Sequence, residues 1–546
     1  MDQEPAQPTI TTQTSGSKSP LLIFLIILVL VILGIGGYLF ARGQQPKEPA
    51  TKVATGLPRD VITIAATITP SGIFPNSQAE FNDKIFNNNI FDGLSRIVAG
   101  KVGSGLAKSW TNPNETTWRF SLQRNVKFHN GSSFTAKDVK FSIEEALKSN
   151  WPSLENLATV KSVKVIDDYT VDIETSFPDP VLLNRLVTVF IVSEKQFKEE
   201  KGEFKAVGTG PYKLTKLDKE GANLEQNGNY FLGAPKVKKV VYKFFPEDTS
   251  DEDLLKALRS GQVDLVRLSG SKVATEAKSS FQVKALADPF IIFLWLDAGR
   301  DKSPFVDKEP NPLKNKLVRQ AIYKAIDIDS VIKEASLSAK PASQFVTDAI
   351  FGYDPNISRP KPSVEEAKSL MKKAGVESGF GLTLDVPGYR AIEGEAIAKQ
   401  LAKINIKVKV NPVRSYAELG GKIDSEEQNI SAYILDYGAE TYDAGEIFTS
   451  ILHTLKGDLG ESNLLTMGYV NPEIDKLAEE IATTFDPKTR LAKLQEATVA
   501  AMEEMPMVPL YSKEFFFVFR NNFDWEPTAF GAVYPLEISG REIVTK

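Results

Sequence analysis

The chain has 546 residues, 42% of them hydrophobic and 25% charged, with a net charge of −5. That length exceeds what one core usually holds, so two or more lobes are expected, and the acidic balance supplies no basic footprint for nucleic acid. Cysteine is absent and histidine occurs twice, as His129 and His453, which excludes disulfides, thiol nucleophiles, Cys-ligated zinc and histidine-rich metal sites.

Residues 1–19 are polar and rich in Thr, Ser, Gln and Pro, a composition expected to stay disordered. Residues 21–40, LLIFLIILVLVILGIGGYLF, carry no charge; as a helix they span about 30 Å, the thickness of a hydrocarbon core. Residues 20–40 therefore read as an uncleaved transmembrane anchor in the lipid bilayer, and 41–60 as a Pro-containing linker. Lys18 before the span against Arg42, Lys47 and Lys52 after it favours an inward C-terminal side.

From residue 61 the pattern turns globular. Residues 61–68 read as a strand and 118–122 as a second, alternating one. Thr135, with Asp138 three residues on, opens a helix carrying Val139, Ile143, Ala146 and Leu147 on one face. Residues 163–166 and 170–175 alternate around Asp167-Asp168 as a hairpin. Leu317, Ala321 and Ala325 recur every four residues as a buried helical stripe. Ser363 with Glu366 is a capping box and Gly375 a stop. Asn471-Pro472 and Asp486-Pro487 each pair an N-cap with Pro at the first helical position, and 515–519 reads as a late buried strand. His129, at a turn, reads as structural.

The stretch 430–452, ISAYILDYGAETYDAGEIFTSIL, is the one that suggests a site. A β-prone run (Ile430, Ala432, Tyr433, Ile434, Leu435) breaks at Gly438. Glu440, Asp443 and Glu446 follow with Tyr437 and Tyr442 among them, before Ile447, Phe448, Ile451 and Leu452 return at helical spacing. A strand that empties into an acidic, aromatic loop is where an α/β sheet commonly holds a ligand. Carboxylates beside flat rings suit a cationic group better than a phosphate. No G-x-S-x-G elbow, P-loop or H-E-x-x-H occurs anywhere, so hydrolase and NTPase chemistry is disfavoured.

Residues 106–147, LAKSWTNPNETTWRFSLQRNVKFHNGSSFTAKDVKFSIEEAL, carry a pattern that resembles the family 5 extracellular solute-binding proteins, the peptide- and nickel-binding components of ABC importers. Gln123 stands where a basic residue is usual and Asn130 where Asp is usual. Further blocks agree in the family's order: 208–214 (GTGPYKL), 229–245, 258–265 (LRSGQVDL), 318–327 (VRQAIYKAID) and 363–375. The likeness covers about residues 60–546, everything outside the anchor.

The resemblance implies an α/β protein with a two-lobed periplasmic-binding-protein type II-like fold (cluster C) and a third small domain, preceded here by one N-terminal transmembrane helix. The implied first lobe comprises 61–132, 206–285 and 516–546, the small domain 133–205, and the second lobe 286–515. The implied function is a membrane-anchored, extracytoplasmic substrate-binding protein that captures peptides or similar small cationic or polar solutes by hinge closure. It would deliver them to ABC permease subunits, without enzymatic activity, cofactor, metal or nucleic acid. A membrane-tethered ligand sensor on the same fold is the alternative, and an enzyme a more distant one. Residue by residue, Tyr437 stands at the family's Trp, Glu440 at the Asp that pairs with a peptide's amino terminus, and Asp443 at the second Asp. Asp436 and Gly438 flank Tyr437, where backbone groups would pair with an extended ligand.

Overall fold

The computed structural model describes residues 60–540 apart from 68, 71, 75–85, 99–100, 150–155, 200–204, 426, 458 and 528–534. The expected tail, anchor and nearly all of the linker, residues 1–59, lie outside the described residues. Among those described, no helix is long and apolar enough to cross a membrane.

Two long strands organise the chain, Gln282–Leu296 and Met507–Phe519. They pair antiparallel from Gln282↔Phe519 to Ala287↔Glu514 and again from Ile291↔Ser512 to Trp295↔Met507. Between the two ladders Asp288, Pro289 and Phe290 stand opposite Lys513 alone. Proline has no N–H to give a ladder, and an extra-residue bulge bends the strand that carries it.

Each half of this pair belongs to a different part of one eleven-stranded mixed sheet. Beside the first half lie Leu265–Leu268, Val61–Ala66, Lys239–Phe244, Gly221–Gln226 and Tyr212–Asp218; beside the second lie Ala432–Tyr437, Phe380–Pro387 and Ile406–Val413. The short strand Ala339–Pro341 pairs with Met507–Phe519.

The strand 291–296 shows why its sequence is apolar without interruption. Ile292, Leu294 and Leu296 pack with Val318, Ile322 and Ile397 on one face, whereas Ile291, Phe293 and Trp295 pack with Phe448, Ile451 and Leu494 on the other. Side chains alternate across a strand, so covering both faces demands a continuous hydrophobic run. Each such residue contributes about 1.5–3 kcal/mol when fully buried.

A separate four-stranded antiparallel sheet runs Ala107–Asn114, Thr117–Leu122, Thr170–Thr175, Val160–Asp167 in spatial order. The helix Ala136–Ser149 covers it, with Val139, Ile143 and Ala146 buried in the same core as Trp118, Phe120, Val171 and Ile173. Asp138 accepts the Thr135 backbone N–H at 2.9 Å, the return half of the capping box. The small domain is expected from 133, and the sheet beneath this helix also takes strands from before that point. Residues 107–122 belong to its sheet, because Trp118 and Phe120 alternate into its core.

Elsewhere local signals agree with the observed elements. Ser363, Asn471 and Asp486 each accept a first-turn N–H, and Gly375 adopts φ +71°. The stripe on the helix Lys316–Ala325 is rotated from the expected one: Val318, Ala321, Ile322 and Ala325 are buried, while Leu317 is half-buried.

Candidate functional site

The strand Ala432–Tyr437 pairs along its length with 291–296 and runs out beside the break in the long strands. Gly438 follows, where a Cβ would lie 2.8 Å from Phe290 Cδ1 and 3.2 Å from its Cα. Only glycine lets the turn pass that close to the bulge. Tyr442 then adopts φ +58°, and its carbonyl accepts from Phe351 N–H at 3.0 Å while Phe351's carbonyl accepts from Ala444 N–H at 2.8 Å.

The structure assigns different work to the residues singled out in this turn. Asp443 is buried, and its two oxygens accept from Arg490 Nη2 and Nε at 2.7 and 2.8 Å, with Gly445 N–H on Oδ1 at 2.7 Å. Its acceptor sites are committed to a bidentate ion pair with the helix Pro487–Glu504. Asp436 is half-buried and accepts from Arg390 at 3.0 Å; Arg390, buried, also donates to Tyr511 Oη at 3.0 Å. Tyr437 turns its ring edge-on to Trp295, with centroids 6.4 Å apart, and donates its hydroxyl to Glu446 Oε1 at 3.0 Å. Burial lifts that phenol well above its ordinary pKa. Glu440 is exposed.

Glu446, outside the expected ligand set, holds the turn's inward carboxylate. Its Oε2 accepts from Thr441 N at 3.1 Å and Thr441 Oγ1 at 2.7 Å. Burial raises its pKa, against the Thr441 bonds and the Arg185 charge, which lower it. Among the described residues no Lys, Arg or His nitrogen forms an ion pair with it.

Across from this turn stands the segment 158–185. Asn184 Nδ2 donates to the Thr441 carbonyl at 2.5 Å, across 257 residues of sequence. Together the two segments enclose a cavity of about 110 Å³, with Thr159, Asp179 and Arg185 on one wall and Thr441, Glu446 and Ser450 on the other. Asp179, 3% exposed, accepts from Thr159 Oγ1 at 2.7 Å and lies 3.5 Å from Arg185 Nε. Nearby, Phe485 from the 483–486 loop packs on Trp118 of the small sheet, ring centroids 5.8 Å apart. Asp179 and Arg185 carried no sequence signal beyond the Pro-Asp-Pro turn at 178–180. Contacts over such separations are invisible to spacing.

The two histidines lie elsewhere. His129 Nε2 donates to the Gly210 carbonyl at 3.0 Å, and its Nδ1 accepts from Gly208 N–H at 3.3 Å. Burial lowers its pKa to about 4, so it stays neutral. Among the described residues no three His, Asp or Glu side chains gather for a metal ion.

Known proteins agree with this architecture. The oligopeptide-binding protein OppA of Bacillus subtilis is 24% identical over 542 residues, covering 90% of this chain and 93% of its own. HbpA2 from Haemophilus parasuis superposes with a TM-score of 0.77 at 20% identity, over 88% of this chain and 100% of that one. DppA from Helicobacter pylori, solved in complex with peptide STSA, gives 0.69 at 22% identity, over 88% and 98%. The first of these is an oligopeptide-binding protein, and the last is an ABC transporter-associated periplasmic binding protein. Residues 101–458 match the model for bacterial extracellular solute-binding proteins, family 5 (middle region), and the chain belongs to that family.

Proposed function

We propose that this chain is the membrane-anchored substrate-binding protein of an ABC importer. It captures peptides, or small cationic or polar solutes like them, between its lobes and hands them to permease subunits on the extracytoplasmic side. The observation that carries this reading is the cavity walled jointly by 158–185 and 441–450, with carboxylates in excess of free guanidinium groups. The break at Asp288–Phe290 supplies the pivot, since two strands bending together move the lobes while each sheet half stays paired. A ligand that touches both walls only in the closed form drives closure by its differential affinity. The peptide-binding relatives favour a peptide as that ligand. Residues 21–40 supply the tether.

The test is mass spectrometry of what copurifies with the full chain in nanodiscs, with solution scattering before and after ligand. A retained peptide or polar solute and a smaller radius of gyration on binding are expected. No retained compound and an unchanged radius with every peptide tried would reject capture by closure. Protease protection in intact cells tests the outward orientation, and recovery of permease subunits with the chain tests the delivery step.

A further inference from the structure

We propose that Arg267 and Asp288 form an ion pair in the open form of this chain and are parted by closure, so that the pair holds the empty lobes apart. This rests on the capture-by-closure reading and adds what opposes closure before a ligand arrives.

The two residues share one face of the sheet at the crossing. Arg267, on the first-lobe strand Leu265–Leu268, stands opposite Phe517, and Leu286 stands opposite Phe515. Opposed residues share a face and alternate residues return to it. Arg267, Phe517, Phe515 and Leu286 therefore lie on the face where Asp288 opens the bulge. The Arg267 guanidinium reaches along that face toward the bulge, its Cζ 3.6 Å from the centre of the Phe515 ring.

Neither charge has a close partner here. Among the described residues Arg267 makes no hydrogen bond or ion pair, and its Nε is buried without an acceptor. Asp288 accepts only from the Phe290 N–H, at 3.2 Å and within its own turn. Burial lowers the pKa of Arg267 and raises that of Asp288, each against the pull of the other's charge. A half-buried charge without a partner is costly, so an arrangement that joins these two is favoured.

Their spacing changes when the first-lobe strand turns against the bulge, which is the hinge motion. Contacts from Asn184 to Thr441 and from Phe485 to Trp118 mark the closed form, so the joined arrangement belongs to the open one. Lys513 faces the bulge as well, but it sits on the crossing strand and travels with Asp288. Arg390 is matched by Asp436 and Glu393 within the second lobe. A pair made only in the open form weakens apparent affinity by the factor with which it depopulates the closed one.

The chain has no cysteine, so Lys256→Cys and Lys372→Cys, at exposed helical positions on the two lobes, give one spin-labelled pair. Pulsed electron resonance on the full chain in nanodiscs then reads the separation of the lobes without ligand. A separation longer than in this structure is expected to dominate. Arg267→Met and Asp288→Asn, which keep the ring contact and the Phe290 acceptor, should each raise the ratio of short to long separations at least threefold. The double variant should do no more than either single one, and Lys513→Met should change the ratio less than twofold. Unchanged or longer separations in both variants, additive effects in the double variant, or an equal response to Lys513→Met overturn the inference. So does an empty wild type found only at the separation of this structure. Capture by closure is judged apart, by whether trialanine or the compound retained on purification shortens the wild-type separation. If none does, that reading fails, while the empty-chain ratios still decide the pair.

Discussion

Asp443 and Glu446 lie three residues apart and share a turn, yet their surroundings give them opposite tasks. Asp443 meets a buried guanidinium that uses both of its oxygens. Removing it strands Arg490, so Asp443→Ala is expected to cost about 3–5 kcal/mol in urea unfolding, much more than any change at exposed Glu440. Glu446 meets only neutral donors, and burial raises its pKa from an ordinary 4.5. The unfolded chain then ionises first as pH rises. Stability falls from about pH 4.5 until the folded carboxyl has ionised as well, and Glu446→Gln should remove that component of a pH-dependent melt. His129 has the reverse sign. With a folded pKa of about 4 against about 6.5 unfolded, it contributes stability above pH 6.5 that is lost as pH falls toward 4. The full window corresponds to about 3 kcal/mol. His129→Gln should flatten chemical-denaturation profiles between those limits if the neutral ring is what the Gly208 and Gly210 backbone requires.

At the level of elements, the two long strands and the turn beside them act as a unit. The pairing gap at 288–290 places Phe290 directly against Gly438, so the proposed pivot and the ligand turn touch. Gly438→Ala forces the Phe290 ring aside and should destabilise the chain by about 1–3 kcal/mol. It should also shift the open–closed balance seen by solution scattering. The contact between Phe485 and Trp118 links a loop before the helix Pro487–Glu504 to the small sheet. Aromatic pairs contribute about 0.5–1.5 kcal/mol beyond their buried area. Phe485→Ala should therefore weaken ligand binding roughly threefold to tenfold, chiefly through faster release measured by stopped flow. An unchanged release rate would show that this contact does not hold the lobes together.

For the whole molecule, two sheet halves joined by the same pair of strands and a cavity between distant segments are the parts that the proposed capture by closure uses. Binding to the folded state alone adds stability by mass action, about 2.7 kcal/mol at a free ligand concentration of one hundred times Kd. A ligand found by mass spectrometry should therefore raise the melting temperature in proportion to the logarithm of its concentration. Because the cavity is shielded from bulk solvent, that gain should survive higher salt better than an exposed ion pair would.

Local chemistry made much of the fold legible in advance. The caps at Ser363, Asn471 and Asp486 act within one turn of helix. The alternation of 118–122 and 170–175 and the unbroken apolar run of 432–435 report how many faces a strand buries, so each is readable from neighbours in the chain. The ordered blocks from 106 to 375 carried the family for the same reason, since each is a local pattern at a consistent place. The tertiary structure alone decided which acid of 440–446 is pinned, which is solvated and which faces the cavity. It also brought Asp179, Asn184 and Arg185 to the other wall. A carboxylate's role is set by the charge and solvent within a few ångströms of it, and those neighbours arrive from hundreds of residues away through packing that no spacing records.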